Sequence, residues 1–221
     1  MKHSVCLLSV VSCLIALSCT TDSYEKGTGK YSLMLTGMAD VTIGSDKRAT
    51  SFITDDGDSC TLSPTVAANW IEVADTAYRA IVYYNKNDDG TAQALSMGRV
   101  PTLQPREHWR FKRLPQDPVG VESAWASPSG KYINLGLLIR SGATADSTAR
   151  HSIALSQDTI RTHASGRRTA ELTLLHDQGG VPEYYTDRHY VSILLPADCP
   201  DTVVLNVQTY SGLLTRRFAV R

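Results

Sequence analysis

The chain has 221 residues, and its 22 basic and 22 acidic side chains balance to a formal net charge of zero. With no basic stripe to neutralise a phosphate backbone, the composition excludes a dedicated nucleic-acid surface. The length suits one large or two small domains of about 100–200 residues each.

The first residues read as a leader. Lys2 gives a short positive start, and Val5 to Leu17 is apolar apart from Ser and Cys. That run has the length of a signal-peptide core and falls short of the roughly 20 apolar residues of a membrane span. In Ala16-Leu17-Ser18-Cys19 a small residue stands directly before a cysteine, as in a bacterial lipoprotein signal. Residues 1–18 are therefore expected to be removed, leaving Cys19 as the new N-terminus with its thiol alkylated by diacylglycerol. Acyl chains contribute about 0.8 kcal/mol per buried CH2, and stable anchoring takes more than one. The membrane, reached through this lipid, is thus the first expected partner. Val10-Val11-Ser12-Cys13 offers an alternative with a shorter apolar run, and plain secretion is a third reading. Thr20 carries no retention signal of the Asp type, so the outer membrane is the expected location, on a face these residues do not fix.

Residues 19–29 are polar and Gly-containing and read as a flexible tether. From Tyr31 the pattern is β. Tyr31 to Ile43, Arg48 to Ser63 and Ala77 to Val100 are short runs of β-formers broken by the turns Asp55-Asp56-Gly57 and Asp88-Asp89-Gly90, which signal hairpins. Pro64 to Trp70 could form a turn or two of helix. The acidic turns resemble calcium loops only superficially, because neither ends in the bidentate Glu of a twelve-residue loop. Residues 30–114 are expected to form one domain. Pro101 to Gly120 is rich in proline and carries Arg106, Arg110, Lys112 and Arg113, fitting a last strand and an interdomain link around Pro115 and Pro118.

A second β set fills residues 117–221. Ile133, Leu135, Leu137 and Ile139 alternate along one strand, Val191, Ile193 and Leu195 along another, and Val203, Leu205 and Val207 along a third. Half-apolar strands at this spacing describe an antiparallel β-sandwich. His176-Asp177 and His189 are read as solvated strand ends of a hairpin around Gly179-Gly180 rather than as a metal or acid/base cluster, since two His without a third spaced ligand make a weak metal signal. Of the five cysteines, Cys6 and Cys13 leave with the leader and Cys19 takes the lipid. Cys60 and Cys199 then either form a disulfide in an oxidising compartment or stay as two buried thiols.

The lipoprotein signal, "DSYEKGTGKYS" leading into "ADVTI", "FITDDG", "YRAIVYY", "DPVGVESAW", "GKYINLGLLI", "LTLLHDQGGVPEYYTDRHYVSILLP" and "VLNVQTYSG" together resemble the NigD-like lipoproteins of Bacteroidetes. The resemblance spans nearly the whole mature chain. It implies an all-β protein with a small N-terminal OB-type barrel and a C-terminal sandwich, and it carries over no catalytic residue, cofactor or metal ligand. Its name ties the family to a bacteriocin-associated operon.

No Gly-x-Ser-x-Gly elbow, His-Glu-x-x-His helix, Cys-x-x-Cys pair or Gly-rich phosphate loop occurs. The expected role is a non-catalytic binding module of the cell envelope with a protein or glycan ligand, including bacteriocin immunity as a special case. A hydrolase with a site assembled from scattered polar residues, or a glycan-binding accessory protein, is the alternative. The candidate ligand contacts are Trp70, in a loop or short helix, and Trp109, otherwise a wedge between the domains. Trp125 is expected in the core.

Overall fold

Two acidic turns reverse the chain early. Gly57 and Gly90 sit at φ of 90° and 81°, a region open to glycine at no steric cost. They join β2 (Ala49–Thr54) to β3 (Ser59–Val66) and β4 (Ala77–Lys86) to β5 (Ala92–Arg99). With β1 (Leu35–Ile43) these strands close a barrel in the order β1-β2-β3-β5-β4. Antiparallel pairing of β1 with β4, from Leu35 against Tyr84 to Thr42 against Ala77, completes the ring. One parallel pairing, Leu62 with Ala92, joins β3 to β5. Alanines 39, 49, 80 and 92 keep the interior narrow, and Phe52 fills it, meeting Tyr84 edge-to-face at 4.8 Å. The expected helical turns at Pro64–Trp70 do not form. Pro64 to Val66 finish β3 and only Asn69-Trp70 turns, since the fixed φ of proline suits an extended strand end.

The structure, a computed structural model, describes residues 31–196 and 198–220 together with Gly27 and Gly29. The leader, Cys13, Cys19 and most of the tether lie outside the described residues. Leu35–Arg221 forms one compact unit that contains both hydrophobic cores.

The remaining strands are β6 (Thr102–Leu103), β7 (Arg106–Glu107), β8 (Gly120–Ala126), β9 (Tyr132–Ser141), β10 (Ser152–Thr162), β11 (Arg168–Asp177), β12 (Tyr185–Leu194), β13 (Thr202–Thr209) and β14 (Gly212–Ala219). They stack as a sheet of order β14-β13-β11-β10-β7 on one of order β6-β12-β9-β8. Ile133, Leu135 and Leu137 of one sheet meet Leu172, Leu174 and Leu205 of the other in a shared core. The sheets are mixed rather than antiparallel throughout: β11 runs parallel to β13, β10 to β7 and β12 to β6.

Several expectations are corrected. The segment after Val100, assigned to the barrel, contributes β6 and β7 to the sandwich sheets. Pro101 and Pro105, which lack a ladder N–H, bracket β6 and keep it to two residues. Gly179-Gly180 does not close a hairpin, because β11 and β12 lie in different sheets. Cys60 and Cys199 are not bridged: one is buried in the barrel core, the other in the sandwich core. Trp125 is exposed, because Ala124 and Ala126 take the inward positions of outermost strand β8.

Candidate functional site

Barrel and sandwich share no sheet; side chains join them. Arg79 points outward from β4 into the junction, where it is 5% exposed. Its guanidinium donates to Asp55 Oδ2 at 2.6 Å, to Asn134 Oδ1 at 3.1 Å and to Ser192 Oγ at 3.2 Å. The amide of Asn134 donates to the same Asp55 oxygen at 2.9 Å, and Ser192 Oγ donates to Asn134 Oδ1 at 2.7 Å. Tyr132 lies 3.9 Å beneath the guanidinium and donates its hydroxyl to Asp40 at 3.0 Å. Burial, then the Asp40 charge, pushes the Tyr132 hydroxyl up to about 12. Arg79, Asp40 and Asp55 come from the barrel, and Tyr132, Asn134 and Ser192 from β9 and β12. Charge-assisted bonds of this kind are about twice as strong as neutral ones, and buried networks with every member satisfied fix a single arrangement.

Beside this junction a cleft of about 550 Å3 opens, walled by Ile81 and Val100 on the barrel side and by Ile139, Ile153 and Val191 on the sandwich side. Its polar lining is Arg99, Arg188, His151, His189 and Tyr190. Arg188 already holds Glu122 through two 2.6 Å bonds. The size and the apolar floor suit a ligand site, and such sites favour junctions between domains.

Half-buried His151 joins the cleft to the buried His176. Its Nδ1 lies 3.0 Å from Nε2 of His176, and the rings stack at 5.2 Å. His176 Nδ1 lies 3.1 Å from the carbonyl oxygen of Asp117. A carbonyl can only accept, so His176 donates from Nδ1 and, when neutral, accepts at Nε2. His151 must then donate from Nδ1, which leaves its Nε2 as a bare acceptor. That atom is buried without a hydrogen-bond partner among the described residues. Burial, followed by the charges of His176 and His189, lowers the His151 imidazole below its ordinary value. His176, expected to be solvated, is 2% exposed. The reason is the chain before β8: Asp117 and Pro115 exchange backbone bonds with His176 and cover it.

The sequence-predicted contacts fall elsewhere. Trp70 packs half-buried against the barrel core, edge-on to Tyr78, and donates Nε1–H to the Met97 carbonyl at 3.4 Å. It is a plug rather than a platform. Trp109 is 67% exposed on the 3-10 turn His108–Arg110 and wedges nothing; the Arg110 guanidinium stands 5.0 Å over its ring. Arg79 and His151 were not singled out from sequence. Arg79 had a signal, a charge in the alternating apolar run "YRAIVYY", whereas His151 sits in an undistinguished loop. Among the described residues no group of three His, Cys, Asp or Glu could hold a metal ion, and no helix is long and apolar enough to cross a membrane.

Solved structures share this fold. A NigD-like immunity protein from Bacteroides caccae ATCC 43185 is 22% identical, with 82% of this chain and 91% of that chain covered and a TM-score of 0.61. A candidate toxin-related protein from Parabacteroides distasonis ATCC 8503 is 19% identical, with coverages of 83% and 91% and a TM-score of 0.62. A candidate lipoprotein from Bacteroides fragilis NCTC 9343 is 14% identical, with coverages of 85% and 98% and a TM-score of 0.60. No family model and no curated protein matches the chain. The chain has the same fold as the NigD-like immunity protein, as the order of its short motifs implied.

Proposed function

We propose that the protein is a NigD-like envelope lipoprotein, held at the outer membrane through lipid on Cys19 and acting there as a non-catalytic binding module. The carrying observation is the cleft beside the Arg79 junction: it has an apolar floor, walls from both barrel and sandwich, and no Ser, Thr, Cys, Asp or Glu in its lining. That lining favours holding a ligand over hydrolysing one, because a hydrolytic site needs a nucleophile or carboxylate beside its base. The barrel, with its strand order and closure, is read as OB-type. Immunity to a bacteriocin at the cell's own membrane is the special case that the shared fold suggests. Exposed Trp109 favours a glycan ligand as the second reading, since a flat ring can stack on a sugar.

Metabolic labelling with clickable palmitate tests the anchor. The wild type should label and partition with membranes, Cys19→Ala should lose the label, and Cys13→Ala should keep it. An unlabelled wild type in the soluble fraction overturns the lipoprotein reading. Deletion in the native host, scored for bacteriocin sensitivity and growth on glycans, separates the two ligand classes.

A further inference from the structure

Strand β12 is paired along its whole length on one side only. There it meets β9 from Tyr185 against Ser141 to Leu194 against Tyr132, with no bulge. On the other side β6 covers only Ser192 and Ile193, and the Ser192 N–H donates to the Pro101 carbonyl at 3.0 Å. Backbone groups of a strand alternate in direction, so those of Tyr190, Arg188 and Thr186 point the same way as those of Ser192. Among the described residues no strand stands beside them. A straight unpaired edge of this kind is a template for another strand. The cleft opens along the same edge, with His189 and Val191 of β12 in its lining. Its lining carries two arginines and no carboxylate; Arg188 is already paired with Glu122, and Arg99 meets Glu72 only at 4.0 Å, which leaves Arg99 as the less committed cation.

We propose that an extended acidic segment of a partner protein adds to β12 as a strand in line with β6, its alternate apolar side chains filling the cleft. Main-chain bonds to Thr186, Arg188 and Tyr190 supply affinity, and the apolar cleft with Arg99 at its lining supplies specificity, as in other strand additions. The inference rests on the reading of the cleft as a binding site and is independent of the lipid anchor.

The chain from Thr20 onward keeps both cores and is the protein for the test. The probe is a short synthetic peptide alternating glutamate and valine, followed by amide hydrogen exchange in solution NMR. Binding should slow exchange at Thr186, Arg188 and Tyr190 while leaving Asp187 and His189, already bonded to β9, unchanged. Thr186→Pro removes one edge-facing N–H, spares the β9 ladder and leaves the cleft lining unchanged, so it should weaken binding about tenfold, the size of one lost hydrogen bond. A lysine–valine peptide binding as tightly overturns the acidic part of the proposal. Shifts at Ile139 and Ile153 without protection on β12 overturn strand addition and leave the cleft as a site. No change at either place overturns both. Protection that appears with rising protein concentration and no peptide identifies a second copy as the occupant and overturns the partner segment.

Discussion

Arg79 is the residue on which the junction turns. Its removal strands the buried carboxylate of Asp55 and the side chains of Asn134 and Ser192. Breaking a buried pair from one side costs about 3–5 kcal/mol, because the remaining charge is left without compensation. Arg79→Met should lower the free energy of the first transition in urea by that much, and a loss under about 1 kcal/mol, the scale of a surface pair, would show that the network does not hold the junction. His151 sets a pH dependence of known sign. Its native value lies below the ordinary 6.5, so folding favours the neutral ring. The stability linked to this group is present above about 6.5 and is lost as pH falls from there through the native value. Thermal melts between pH 7.5 and 5 should therefore fall for the wild type and fall less for His151→Gln. Tyr132 acts at the other end of the scale. With a native value of about 12 against an ordinary 10, its stabilisation is present below 10 and lost as pH rises toward 12, a loss that Tyr132→Phe should remove.

At the scale of elements, the turn after β11 makes the sharpest demand. Gly179 lies at φ of 57°, and a Cβ there would collide with the Arg150 carbonyl oxygen. Gly179→Ala should destabilise by more than about 1 kcal/mol, read as a lowered melting temperature, whereas Gly166→Ala, with open space around it, should cost less. The strands themselves were legible. Acidic-glycine turns and period-2 alternation marked the barrel hairpins and the run from Ile133 to Ile139, because both signals are local. What escaped was set by distant partners. Strands as short as Thr102–Leu103 leave no periodicity to read. In β9 the positions that look solvent-facing, Tyr132 and Asn134, are buried because Arg79 arrives from the barrel. The candidate site was less legible still: His189 was noticed, but its neighbour His151 comes from a loop 38 positions earlier in the chain, and nothing local marks the two as walls of one cleft.

For the whole molecule, the junction should make barrel and sandwich unfold together. Chemical unfolding followed by tyrosine and tryptophan fluorescence and by far-UV circular dichroism should give one coincident transition in the wild type, and Arg79→Met should separate them into two. The buried cysteines give that coupling a second, residue-specific measure. From Thr20 onward the chain holds only Cys60 and Cys199, one in each core, and burial raises the Cys60 thiol above its ordinary value, which slows its attack on any reagent. Each sulfur is buried in its own core, so alkylation should speed when that core opens. Under native conditions, iodoacetamide uptake resolved by peptide mass spectrometry becomes a pair of clocks, one timing the barrel and the other the sandwich. Clocks that run at one rate in the wild type and drift apart in Arg79→Met would time, without denaturant, how firmly the two cores share their fate.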